Sequence, residues 1–367
     1  MNQINIMLNN VKIGMKISED VYSDSKLLVQ KDTVVNDAVL GHLKYSSVES
    51  VPVYADKENE YMQTPFVPVT VIPGNQKTHS EKIRESETFK NFEANFQKKA
   101  EEFSTLLKDI ADGNTGVDVE QLYAFANEII AGETNTYRLM DTISHLHYFD
   151  SSTYAHSLHV AMLAYVLGCW LHLDEERLKI LTVAGMLHDV GKLLMPEEII
   201  NKPDKLTDEE YKIIQQHPYK GYQLLLSQKV DRRISETALL HHEKCDGTGY
   251  PMGLKSEGIN KFAKVIAIVD VYEAMTANRA YRNGLCPFAV IRMYEDEGYA
   301  KYDPNYLLPF LQGIADTYLH NNVLLSDGRQ GKIVMTNKTV CSKPGIMVGD
   351  EYVDLALHPE LSIVSIL

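Results

Sequence analysis

Apolar residues recur with a helical period through the middle of this chain and with shorter, strand-like runs towards its two ends. Phe89, Phe92, Phe96, Phe103, Leu106 and Ile110 follow one another at three-, four- and seven-residue spacings, which lays one apolar stripe along a helix. Such a stripe docks onto the chain's own helices or, by its near-heptad spacing, forms a dimer. Asp112-Gly113-Asn114 marks its stop, and helical runs over about 117–131 and 134–148 follow. Residues 1–55 carry short β-like runs, Lys26–Val29 and Val48–Val53, around a small helical patch near 36–44. Pro65, Pro68 and Pro73 make 56–79 a linker. Towards the end, Val323–Val334 predicts two strands around an Asp327-Gly328 turn, with Val340 and Leu361–Ile366 continuing the β character and packing on the helices.

At 367 residues the chain has room for two or three domains, and its 44% hydrophobic content supports a real core. A formal net charge of -14 argues against general nucleic-acid binding, which needs a basic face. Cys169, Cys245, Cys286 and Cys341 show no C-x-x-C spacing, as expected of a reducing compartment. No basic patch followed by an apolar run opens the sequence, and no stretch approaches the ~20 apolar residues of a membrane span. The expectation is a cytoplasmic protein without a membrane segment.

Candidate chemistry gathers in the centre. His241-His242 are followed by Glu243, Asp246 and the Gly-rich turn that ends in Gly249-Tyr250-Pro251. Imidazole nitrogen suits transition metals, and adjacent histidines on a helix diverge, so that such a pair can serve two metals. His156 sits in the helical run Tyr154–Val160, His188-Asp189 closes the apolar Ile180–Leu187, and His217 precedes Pro218. Asp270 lies inside the apolar Val265–Val271, where a carboxylate is costly to bury unless paired or bound to a cation. Five histidines and two aspartates on separate helices can converge on a polynuclear site. Lys192 follows Asp189 by three residues, on the same face of a helical backbone.

In this order and spacing the residues resemble an HD-GYP domain, a branch of the HD metal-dependent phosphohydrolases, from about Phe149 to about Ala315. His188-Asp189 match the HD pair and Gly249-Tyr250-Pro251 the GYP element. The resemblance implies a mainly α fold: an HD-type helical bundle catalytic domain over 149–315, behind a small β-rich N-terminal domain (1–55), the linker 56–79 and a docking or dimerisation region over 80–148, with a β-rich extension over 316–367. It implies His156, His188, Asp189, His217, His241, His242 and Asp270 as metal ligands, with Asp189 bridging two divalent ions. Lys192 would contact the scissile phosphate, and Arg279 and Arg282 would hold the phosphates and guanines of cyclic di-GMP. The implied reaction is attack of a metal-bridging hydroxide on the phosphodiester. A nitrogen- and carboxylate-rich set without thiolate favours Fe or Mn over structural Zn.

Two departures from the family pattern colour this expectation. Ser152 stands where many members carry a glutamate for a third metal, and Asp150 is at the wrong spacing to replace it. A dinuclear site and the linear product pGpG are therefore expected. His159 stands where arginine is common, three residues after His156, and is a candidate support for the site. Glu243 and Asp246 read as groups that stabilise the loop, and the Gly-Tyr-Pro loop as a wall of the pocket or a contact for signalling partners. The competing readings are a slow cyclic-dinucleotide sensor or scaffold, and an HD phosphohydrolase acting on another nucleotide such as cyclic GMP–AMP.

Overall fold

The computed structural model describes residues 3–7, 11, 15–23, 26–35, 50–54, 77–130, 135–146, 153–200, 202, 206–277 and 284–367. The helical patch expected near 36–44 and the linker prolines lie outside them. The chain divides into two compact units, Met1–Pro73 and Gly74–Leu367.

In the first unit, strand β1 (Gln3–Met7) pairs with β4 (Ser50–Tyr54), and β2 (Val21–Ser23) with β3 (Lys26–Val29); both pairs are antiparallel. Val11, Met15, Ile17, Val21, Val29, Val35, Val51 and Val53 form its own small core.

The second unit is helical for most of its length. Helix α1 (His79–Glu85) opens on a capping box between Thr78 and Glu81, and α2 (Glu87–Ala111) starts where the Ser86 hydroxyl accepts from the Phe89 amide at 3.2 Å. There follow α3 (Val119–Ile130), α4 (Thr136–Ser144), α5 (Thr153–Trp170) and α6 (Glu175–Leu187), then α7 (Glu197–Ile200), α8 (Asp208–Ile214), α9 (His217–Ser227), α10 (Arg232–Leu240) and α11 (Lys261–Thr276). α12 (Pro287–Met293), the single turn α13 (Tyr299–Lys301) and α14 (Pro304–Thr317) complete the described α-helices. Side chains of α5, α6 and α11 are buried on most faces, the mark of helices at the centre of a bundle rather than on its rim. α5 packs on both α6 and α11, and α10 packs on α6, so the segments bearing the candidate ligands share one core.

Phe89, Phe96, Phe103 and Ile110 of the α2 stripe are buried in that same core, with Phe92 and Leu106 partly covered beside them. The stripe is thus occupied within the chain itself. Beyond the helices, β5 (Asn322–Leu325), β6 (Gln330–Met335), β7 (Gly345–Val348), β8 (Glu351–Asp354) and β9 (Ile363–Ile366) form an antiparallel sheet in the order β8-β7-β6-β5-β9. Gly328, at φ +87°, makes the expected turn between β5 and β6, and Leu325, Ile333, Ile346 and Ile363 join the bundle core. Val340, expected to extend the β character, lies instead in the turn between β6 and β7 and is exposed. Among the described residues no helix is long and apolar enough to cross a membrane.

Candidate metal centre

Helix α6 delivers His188 at its C-cap and Asp189 directly beyond, at the N-cap of a 3-10 turn over Val190–Leu194; both side chains are buried. Gly191 lets this turn lie against the first turn of α9. A β-carbon there would stand 2.0 Å from the His217 carbonyl oxygen and 2.6 Å from the Gly221 nitrogen. That close approach sets His217 Nε2 3.1 Å from Asp189 Oδ1.

Around Asp189 the two carboxylate oxygens face different partners. Oδ1 lies 3.1 Å from His217 Nε2 and 3.6 Å from His241 Nε2. Oδ2 lies 3.4 Å from His188 Nε2 and 3.6 Å from His156 Nε2, and accepts from the Lys192 ammonium. Asp270, one helix away on α11, brings Oδ1 to 3.1 Å from His156 Nε2 and 3.8 Å from His188 Nε2. Two ligand groups result, Asp189 with His217, His241 and His242, and Asp189 with His156 and His188, each with donor atoms within 4.8 Å of one another. Among the described residues, His188 Nε2 and Asp189 Oδ1 are buried without a hydrogen bond, which is the condition a cation would relieve. The donor set, nitrogens and carboxylates with orphaned atoms facing one another, fits divalent metal ions.

All seven sequence-predicted ligands are therefore brought together. The adjacent histidines differ in one respect from expectation. His241 caps α10 and His242 follows in a turn, so their rings do not diverge: the centroids are 4.1 Å apart and both face the Asp189–His217 group. Arg279, Arg282, Ser152 and Asp150 lie outside the described residues. Glu273 is a functional candidate that the sequence pattern does not single out. It is buried on α11 one turn after Asp270, with Oε2 2.5 Å from His156 Nδ1. The signal that could have found it is a second acid at a three-residue spacing in an apolar helix.

Electrostatics separate the histidines. Burial pushes the His241 ring down to about 4, and burial together with His241 holds His242 well below the usual range, so both present lone pairs at neutral pH. Burial also acts on His156, but the carboxylates of Glu273 and Asp270 outweigh it and push the ring up to about 10. Asp189 and Asp270 are held well below the ordinary carboxylate range: burial opposes this, and is outweighed by Lys192 and His188 for Asp189 and by His156 for Asp270.

The Gly-Tyr-Pro loop folds back over this cluster. Gly249 passes so close that a β-carbon would stand 2.4 Å from the Lys244 nitrogen and 2.5 Å from Glu243 Cα. The buried Glu243 carboxylate accepts from the Met252 amide at 2.6 Å and the Leu254 amide at 2.9 Å, which ties the far side of the loop to its start. Asp246 Oδ1 accepts from both the amide and the hydroxyl of Thr248, at 2.9 and 2.7 Å. The loop so held stacks the Tyr250 ring on His242, centroids 4.6 Å apart and planes 28° apart, ahead of a cis Tyr250-Pro251 bond. Tyr250 thereby walls the site on the His242 side.

Comparison with known proteins finds relatives of the central part of the chain. The profile described as HD domain matches residues 138–306. Over 187 residues the chain is 37% identical to a cyclic di-GMP phosphodiesterase of Pseudomonas aeruginosa, covering 50% of this chain and 45% of that protein. It is 34% identical over 200 residues to a cyclic di-GMP phosphodiesterase response regulator of Xanthomonas campestris pv. campestris, covering 53% and 52%. A 3'3'-cGAMP-specific phosphodiesterase of Vibrio cholerae is 40% identical over 148 residues, covering 40% and 34%. The chain thus spans about half or less of the length of these curated relatives.

Proposed function

Residues 138–306 of this chain belong to the HD domain family, and on that premise we propose a metal-dependent phosphodiesterase that opens cyclic di-GMP to linear pGpG. The observation that carries the reading is Asp189, whose two oxygens face two separate sets of histidines. That arrangement supports a dinuclear centre held by His156, His188, Asp189, His217, His241, His242 and Asp270, with Asp189 shared. Fe or Mn is favoured by a donor set of imidazoles and carboxylates without thiolate. Two divalent ions, when bound, supply Lewis acidity at the phosphoryl oxygens and lower the pKa of water beside them.

The chain's own residues supply the rest. Lys192, a quarter exposed, holds a positive charge against Asp189 at the edge of the cluster, where it meets the charge that develops on a scissile phosphate. Arg279 and Arg282 are assigned to the phosphates and guanine edges on the ground of guanidinium chemistry. In a chain of net charge -14, a dianionic substrate depends on such local cations. Glu243 and Asp246 keep the Gly249-Tyr250-Pro251 loop in place, so that Tyr250 and His242 stay stacked.

The test is anaerobic hydrolysis of cyclic di-GMP and of cyclic GMP–AMP by Fe(II)- or Mn(II)-loaded protein, products resolved by chromatography, beside Asp189→Ala. The expected result is pGpG from cyclic di-GMP, lost in the variant. Prompt accumulation of GMP would overturn the dinuclear assignment, and preference for the mixed dinucleotide would overturn the substrate.

A further inference from the structure

We propose that Glu273 is a positioning residue that fixes the ring of His156 and strengthens it as a donor, so that one of the two ions is held under a control that the other lacks. The inference rests on the metal-centre reading above and deepens it.

The histidines of the cluster are not oriented alike. His188 Nδ1 lies 2.8 Å from the Gly185 carbonyl, His217 Nδ1 2.7 Å from that of Ile214, and His241 Nδ1 2.9 Å from that of Ala238. Each carbonyl belongs to the residue three positions earlier, so these rings are set by local backbone and by a neutral acceptor. In all three the Nδ1 proton is the donor and Nε2 is turned towards Asp189. His156 shows the same ring polarity, but its Nδ1 meets the Glu273 carboxylate, carried by a different helix 117 residues on.

A carboxylate differs from a carbonyl in carrying a full charge. With the proton on His156 Nδ1 donated to Glu273, electron density on Nε2 rises and a cation there is bound more tightly. The other carboxylate oxygen of Glu273 lies 3.5 Å from His159 Nδ1, so the group is anchored between two rings on α5, one turn apart. Glu273 is itself buried, and the ligand it meets is His156. Its influence is therefore directed at the His156–His188–Asp189 group and leaves His217 and His241 to their backbone acceptors.

The experiment is a Mn(II) titration of the metal-free protein followed by electron paramagnetic resonance of free Mn(II), with 15N spectra of the histidine rings, for wild type, Glu273→Gln, Glu273→Asp and Glu273→Ala. Wild type should take up about two equivalents. In Glu273→Gln, which keeps size and an acceptor oxygen, one equivalent should weaken roughly 10–100-fold, the range for loss of such a supporting partner. The second equivalent should keep its wild-type affinity, and one ring should change its Nδ1–H signal. Glu273→Asp should recover part of the loss. Equal weakening of both equivalents, or of neither, overturns the proposal. Glu273→Gln carries the test even where Glu273→Ala loses its fold. A wild type that binds no Mn(II) overturns the metal centre and this inference together. One that binds about two equivalents yet cleaves no cyclic dinucleotide overturns only the phosphodiesterase reading, and the titration still decides the role of Glu273.

Discussion

A single hydrogen atom in the right place decides whether His217 reaches Asp189. Gly191 and Gly221 let the turn after α6 touch the first turn of α9 backbone to backbone, and the atoms a β-carbon on Gly191 would meet are main-chain atoms that cannot rotate away. Gly191→Ala is therefore expected to destabilise by about 1–3 kcal/mol, the usual cost of overpacking, and to reduce metal uptake because His217 moves with α9. Urea denaturation with metal analysis of the folded fraction checks both; a variant with wild-type stability and full metal content would refute the close approach. Such contacts show how far residue-level reading goes. The ligands are legible because imidazole and carboxylate inside apolar helices are costly to bury without a partner or a cation. Glu273 is not, because an acid in the last turns of a helix reads as solvated until α5 is laid against it. The ring directions of His241 and His242 depend on α10 ending at Leu240, a boundary that pattern alone does not fix.

Helices in this chain are legible in proportion to how much of their partner surface is close in sequence. The α2 stripe is visible from its spacing, yet its two readings, self-docking and dimer seam, call for the same periodicity. Packing separates them: Phe103 and Ile110 are buried in the core that also contains Leu158 of α5 and Leu187 of α6. Phe103→Ala is accordingly expected to cost about 3–5 kcal/mol, read as a lower urea midpoint at unchanged slope. A loss of association at unchanged stability, seen by analytical ultracentrifugation, would reinstate the dimer seam. The C-terminal strands show the opposite case. Their presence follows from alternation and the Asp327-Gly328 turn, but β9 completing the sheet beside β5 is a long-range pairing, and nothing local specifies it.

For the molecule as a whole, metal and proton compete at one ring, so that stability falls with pH in the metal-free protein while the metal-bound protein is spared that loss. In metal-free protein His156 is raised from 6.5 to about 10, so the folded state holds that proton more tightly than the unfolded one. Its contribution is complete below about 6.5 and is lost as pH climbs through the folded value. The depressed carboxyls of Asp189 and Asp270 contribute above their unfolded value of 3.8, and that contribution is lost only as pH falls below it through the folded values. Metal-free protein should therefore melt at progressively lower temperature between about pH 6.5 and 8.5 as far as His156 is concerned. A cation on Nε2 must displace the proton, so binding releases it and strengthens with pH. One released proton corresponds to roughly 1.4 kcal/mol of added metal stabilisation per pH unit. Calorimetric melting with chelator and with saturating Mn(II), at about pH 6.5, 7.5 and 8.5, should show the two curves diverging as pH rises. Parallel curves would mean that His156 holds no proton for the metal to displace. His241, already neutral because burial lowers it to about 4, contributes nothing to the divergence in this range.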